Sequence, residues 1–164
     1  MTFDDLSKIK LAYVGDGNNV SNSLMLMAAT LGVDFTLVCP ENYGPETCMY
    51  NKAFALAEQS GANLTLTTDM EMIGEQDAIY TDTWISMGDE TKVNDILAAF
   101  APYQVNHDLM KKTGAQVVMH CQPAHLGEEI TTELFDSEMS LAFQAAENIM
   151  WAQNAVLVTL LANQ

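Results

Sequence analysis

The chain has 164 residues, 49% of them hydrophobic, which is enough for one folded domain with a real core. Only 17% are charged, but 22 acidic residues face 6 basic ones, so the formal net charge is −16. All six cations are lysines (Lys8, Lys10, Lys52, Lys92, Lys111 and Lys112), so there is no basic patch for nucleic acid or an anionic membrane and no guanidinium fork for a phosphorylated ligand.

Met1 to Asp5 has no basic start and no apolar run, so it does not read as a signal peptide. Lys10–Val14 reads as a strand that ends at Gly15-Asp16-Gly17. Asn18 or Asn19 is placed to cap a helix through Leu31, with Gly32 as its stop. Val33–Val38 is a second strand, closed by Pro40. Glu46–Ser60 is a helix ended by Gly61. Asn63–Thr67 is a third strand, and Thr68–Ile73 one short helical turn. Ala78–Thr83 is a fourth strand. Glu90–Phe100 and Asn106–Thr113 are helices, the second capped by Asn106. Gln116–His120 is a fifth strand, and Ser137–Ala162 a long final helix. The closing apolar run, Ala155–Ala162, is shorter than the roughly 18 residues a membrane span requires. Cys39, Cys48 and Cys121 show no Cys-x-x-Cys spacing, which points to reduced thiols and a cytoplasmic protein.

Apolar strands alternating with helices predict an α/β fold. The expected form is a three-layer, doubly wound, Rossmann-like domain. Its five-stranded sheet is mostly parallel, and a long C-terminal helix follows. Ligands of such domains sit beyond the carboxyl ends of the strands, so the loops there carry the candidate chemistry.

Gly15-Asp16-Gly17-Asn18-Asn19-Val20 follows a strand and opens a helix, but Val20 breaks a Gly-x-Gly-x-x-Gly fingerprint. The segment is either a carboxylate site held by Asn19 and the helix start or a tight turn without a ligand. Asp82 either pairs with an amine or caps a turn. His120 and Cys121 are adjacent on a strand and so point to opposite faces, which argues against a nucleophile–base pair. Metal binding by His120, Cys121 and His125 lacks the usual ligand spacing; a small thiol lining a pocket is the plainer reading.

The last helix carries two apolar stripes. One holds Met139, Phe143, Ala146, Met150, Leu157 and Leu161, and the other Ala142, Ala145, Ile149, Ala152, Val156 and Leu160. Two apolar faces ask for two covering surfaces. One is expected to be the domain's own sheet, and the other a second domain or chain.

Together these segments resemble ornithine carbamoyltransferases over essentially the whole chain. Tyr13 to Val20 resembles that family's strand-to-helix turn. Asp82-Thr83-Trp84-Ile85-Ser86-Met87-Gly88 resembles its Asp-x-Trp-x-Ser-Met-Gly loop. His120-Cys121-Gln122-Pro123 resembles its His-Cys-Leu-Pro segment, and Ala146-Glu147-Asn148 its Ala-Glu-Asn-Arg segment. The resemblance implies that residues 1–164 are the ornithine-binding domain, without the carbamoyl-phosphate-binding domain. It implies no cofactor and no metal. Asn19, Asp82, Ser86, Met87 and Cys121 become the expected substrate-binding residues. Asp82 would take amino groups of the ligand, and Cys121 would lie near the attacking amine.

The departures point toward inactivity alone. Gln122 stands for the family's leucine, Ile149 for the final-helix arginine and Leu126 for a further arginine of many relatives. Cys121 is expected to act only if a partner completes the site. The leading expectation is a module binding L-ornithine or a similar amino acid, paired through its last helix as a homo-oligomer. Half of a split transferase completed by a partner chain and a structural interaction protein are the alternatives. A nucleotide-binding domain ranks below both.

Overall fold

A computed structural model describes residues 5–85 and 93–162. Strand β1 (Lys10–Val14) is buried from Leu11 onward, with Leu11 and Tyr13 on one face of the sheet and Ala12 and Val14 on the other. It lies at the centre of a sheet with β2 (Asp34–Val38), β3 (Leu64–Thr67), β4 (Ala78–Thr81) and β5 (Val117–His120). The order is β3-β2-β1-β4-β5, and every pairing is parallel. The chain winds outward from β1 in one direction and then in the other. The switch point therefore lies between the carboxyl ends of β1 and β4.

Helices α1 (Asn19–Leu31) and α2 (Thr47–Ser60) cover one face. The sequence left the α1 cap open; it is Asn18, whose Oδ1 accepts from the amides of Val20 (2.9 Å) and Ser21 (3.1 Å). Gly32 ends the helix at φ 77°, a left-handed conformation that glycine adopts without a Cβ penalty. Tyr13, Met25, Phe35, Leu37 and Ala53 fill the core on this face.

The opposite face is covered from α4 (His107–Thr113) and α5 (Thr132–Phe135), with α3 (Val93–Phe100) between β4 and α4 in the chain. Asn106 caps α4, accepting from the Leu109 amide at 3.0 Å. Val14, Ile79, Met110, Val118, Ile130 and Leu134 form this second core. A smaller cluster of Trp84, Ile96 and Phe100 anchors the chain just after Asp82, with the rings of Trp84 and Phe100 stacked at 5.6 Å.

Two of the differences from the expected boundaries bear on the site and on the last helix. The fourth strand stops at Thr81, because Asp82 turns away into the loop. The final helix, α6, runs Ala142–Ala162 rather than from Ser137. The segment before it is held against the edge of β5: the Val118 amide donates to Met139 O (2.9 Å) and the Leu141 amide to Val118 O (2.8 Å). Backbone spent on that edge cannot also be helical.

The expected burial of α6 against its own sheet holds only at its start. Ala142 is buried, but residues 147–162 are all exposed. Over that stretch the helix has passed the edge strand, and no other element among the described residues is packed on either stripe.

Candidate functional site

At the end of β1 the chain turns tightly beneath the loop that follows β2. The Gly15 amide donates to Val38 O (3.0 Å) and the Gly17 amide to Tyr43 O (2.8 Å). A Cβ at position 17 would lie 2.2 Å from the Gly44 carbonyl carbon. Gly17 is thus required by the neighbouring backbone, whatever ligand the turn meets.

Asp82 leaves β4 directly across the switch point and is only 6% exposed. The Thr81 hydroxyl donates to Val14 O (2.8 Å), tying the two strand ends together. Three neutral donors hold the Asp82 carboxylate: Asn18 Nδ2 at 3.0 Å, the Thr83 amide at 2.7 Å and the Cys121 thiol at 2.6 Å. A carboxylate offers about four lone-pair positions, so about one is left for a ligand. Asn18 thus has two tasks, since its Oδ1 caps α1 while its Nδ2 positions Asp82.

Burial, the hydrogen bond to Asp82 and that carboxylate's charge push the Cys121 thiol up to about 12. At neutral pH it is an S–H donor. It fixes the orientation of Asp82 and is not a thiolate nucleophile. Asp16 is half-buried on the same side; burial, with a contribution from the Asp82 charge, raises its carboxyl to about 6.

Next to Cys121, His120 turns the other way into the interior, where it is fully buried. Its Nδ1 accepts from the Gln122 amide (2.8 Å), so the ring proton is on Nε2. Nε2 meets Glu129 Oε1 at 3.1 Å, and Glu129 is also fully buried. Sequence reasoning missed this pair. Its members are nine positions apart, and no periodicity joins a strand end to the loop before α5.

The grouping of His120, Cys121 and His125, disfavoured from the sequence by its spacing, does not form. His120 and Cys121 cluster with Asp82, while His125 clusters with Glu128 and Glu129. The first cluster is poorly suited to a metal, because both ring nitrogens of His120 are engaged and Cys121 keeps its proton.

Of the five expected binding residues, Asp82 and Cys121 are therefore in contact. Asn19 lies one turn-residue away from the network, exposed in a groove of about 290 Å³ with Gly17, Asn18, Asn22, Glu46 and Met49. Ser86 and Met87 lie outside the described residues. No helix among the described residues is long and apolar enough to cross a membrane.

Residues 7–160 match the family described as aspartate/ornithine carbamoyltransferase, Asp/Orn binding domain. The ornithine carbamoyltransferase of Shewanella oneidensis is 54% identical over 158 residues, covering 96% of this chain and 52% of that protein. The solved structure of ornithine carbamoyltransferase from Pyrococcus furiosus superimposes with a TM-score of 0.87 at 41% identity, covering 94% of this chain and 50% of that one. The corresponding enzyme of Campylobacter jejuni gives 0.87 at 31% identity, covering 95% of this chain and 52% of that one. The chain spans about half the length of the curated relatives it matches. Matched in sequence and in fold alike, the chain belongs to the aspartate/ornithine carbamoyltransferase family and corresponds to that family's Asp/Orn binding domain.

Proposed function

We propose that this domain binds L-ornithine or a similar amino acid between the carboxyl ends of β1 and β4, with an amino group of the ligand received by Asp82. The Asp82 carboxylate carries the reading. It is almost buried, held by neutral donors, and among the described residues has no cationic partner. An ammonium group supplies the missing charge and the remaining hydrogen bond. Asn19, Ser86 and Met87 are assigned to the ligand's backbone groups. Cys121 is assigned to hold Asp82 beside the reacting amine.

We further propose that residues 1–164 act as one unit that does not transfer a carbamoyl group unaided. Its sequence contains no arginine, and Ile149 occupies the place of the family's final-helix arginine. Losing one charge-assisted contact to a transferring group commonly costs a few kcal/mol. A carbamoyl-phosphate site must then come from another domain or a partner chain, which is the split-transferase reading. Separately, the exposed apolar face of α6 favours association with another chain, and a second copy of this chain, which would bring no carbamoyl-phosphate site, is its proposed occupant. The cytoplasm is the proposed compartment, in keeping with three free cysteines.

Thermal unfolding with and without millimolar L-ornithine, beside Asp82→Ala, tests the binding site. A ligand at about 100 times its dissociation constant stabilises by about 2.7 kcal/mol, a rise of a few degrees for a domain of this size. The rise should vanish in Asp82→Ala. No rise with ornithine or lysine would overturn the binding reading.

A further inference from the structure

We propose that His125, Glu128 and Glu129 form a site for a divalent transition-metal ion, of the zinc or cobalt class, on the turn that follows Cys121. Each residue offers one ligand atom, and all three atoms lie within 4.8 Å of one another. One imidazole with two carboxylates is a donor set that suits zinc-like ions.

The turn is built before any ion arrives. The Glu128 amide donates to His125 O (2.9 Å) and the Gly127 amide to Ile130 O (2.8 Å). Glu129 Oε1 accepts from the His125 amide at 2.5 Å and meets His120 Nε2 at 3.1 Å. Two elements thus fix the Glu129 carboxylate, leaving little to order on binding.

A second observation is independent of this clustering. Glu129 is fully buried, yet its Oε2 has no hydrogen-bond partner, and the buried Oε2 of Glu128 has none either. Among the described residues, the ion-pair partners of both are histidines; His125 Nδ1 lies 3.7 Å from Glu128 Oε2. Unpartnered carboxylate oxygens away from water are costly, and a bound cation satisfies both at once. His125 is exposed, so an ion has a path in. The site is distinct from the Asp82–Cys121 contact, although Glu129 links it to His120.

Co²⁺ alone, titrated into the full chain and followed by visible and near-ultraviolet absorption, tests the proposal, with Zn²⁺-dependent thermal unfolding as a second readout. Binding is expected with visible d–d bands and no thiolate charge-transfer band. His125→Asn and Glu128→Gln should each weaken binding at least about tenfold. Cys121→Ser should leave it unchanged. Thiolate bands, loss of binding in Cys121→Ser, undiminished binding in His125→Asn, or no binding at millimolar Co²⁺ would each overturn it.

Discussion

Asp82, 6% exposed at the end of β4, is met by three donors from three different segments. Leu157 and Leu161 in α6 are 56% and 66% exposed, on a stretch that no other element among the described residues covers. The two regions place different demands on the chain. A buried carboxylate needs partners at fixed distance and angle, and the domain supplies them from its own loops. An apolar stripe needs only area, and any surface can supply that. A domain can therefore be complete in its polar site and still incomplete in its apolar contacts.

The strongest way to break this comparison is at Asn18. Asn18→Ala removes both amide contacts that cap α1 and the Nδ2 bond to Asp82. The expected loss is about 2 kcal/mol, read by urea unfolding. Asn18→Asp sharpens the test, because aspartate caps helices as well as asparagine does. Here it would set a second carboxylate against Asp82, so it should recover only part of the loss. Full recovery would mean that Asn18 acts as a cap alone.

The same contrast explains what the sequence disclosed. β1 was readable to the residue, since an unbroken apolar run ending in glycine has few other structures open to it. The Asp82 and Cys121 motifs were recognisable, but their contact was not, because it joins positions 39 apart. Asn18 and Asn19 could not be separated as caps from sequence, since both residues suit a cap. Backbone geometry selects the first and leaves the second exposed in the groove. The stripes of α6 were equally plain, but the expectation of sheet cover failed beyond Ala142. Helical periodicity says that a face wants covering and nothing about where the sheet ends. Short α5 and the His120–Glu129 pair had no periodic or motif signal at all.

A smaller effect is expected at Asp16. Its folded carboxyl titrates near 6 against an ordinary value of 3.8. Between those values the folded chain keeps a proton that the unfolded chain releases, so stability falls as pH rises through this window. Above it the cost of the buried charge is fully present. Because the group is only half-buried, solvent trims that cost to about 1 kcal/mol. Asp16→Asn should therefore be more stable than the parent at neutral pH and equal to it below the ordinary carboxyl range. Urea unfolding at several pH values checks this, and a gap that stays constant with pH would assign the gain to packing instead.

The smallest effect on the folded domain, and the most telling for the comparison, is expected from Leu157→Ser with Leu161→Ser. Both side chains are more than half exposed, so each change should alter the unfolding free energy of the dilute monomer by no more than about 0.5 kcal/mol. Leu134→Ser, a polar change in a fully buried side chain, should cost about 3 kcal/mol or more under the same conditions. Light scattering at micromolar concentration then separates the two demands. The parent should be dimeric and the α6 double variant monomeric, because stability drawn from a partner depends on concentration whereas stability drawn from the core does not. A parent that is a clean monomer would remove the second copy as occupant of α6. A dimer that survives the double variant would move the interface elsewhere. A large loss of stability in the dilute double variant would mean that α6 folds back onto its own domain, and the contrast between the two regions would fall with it.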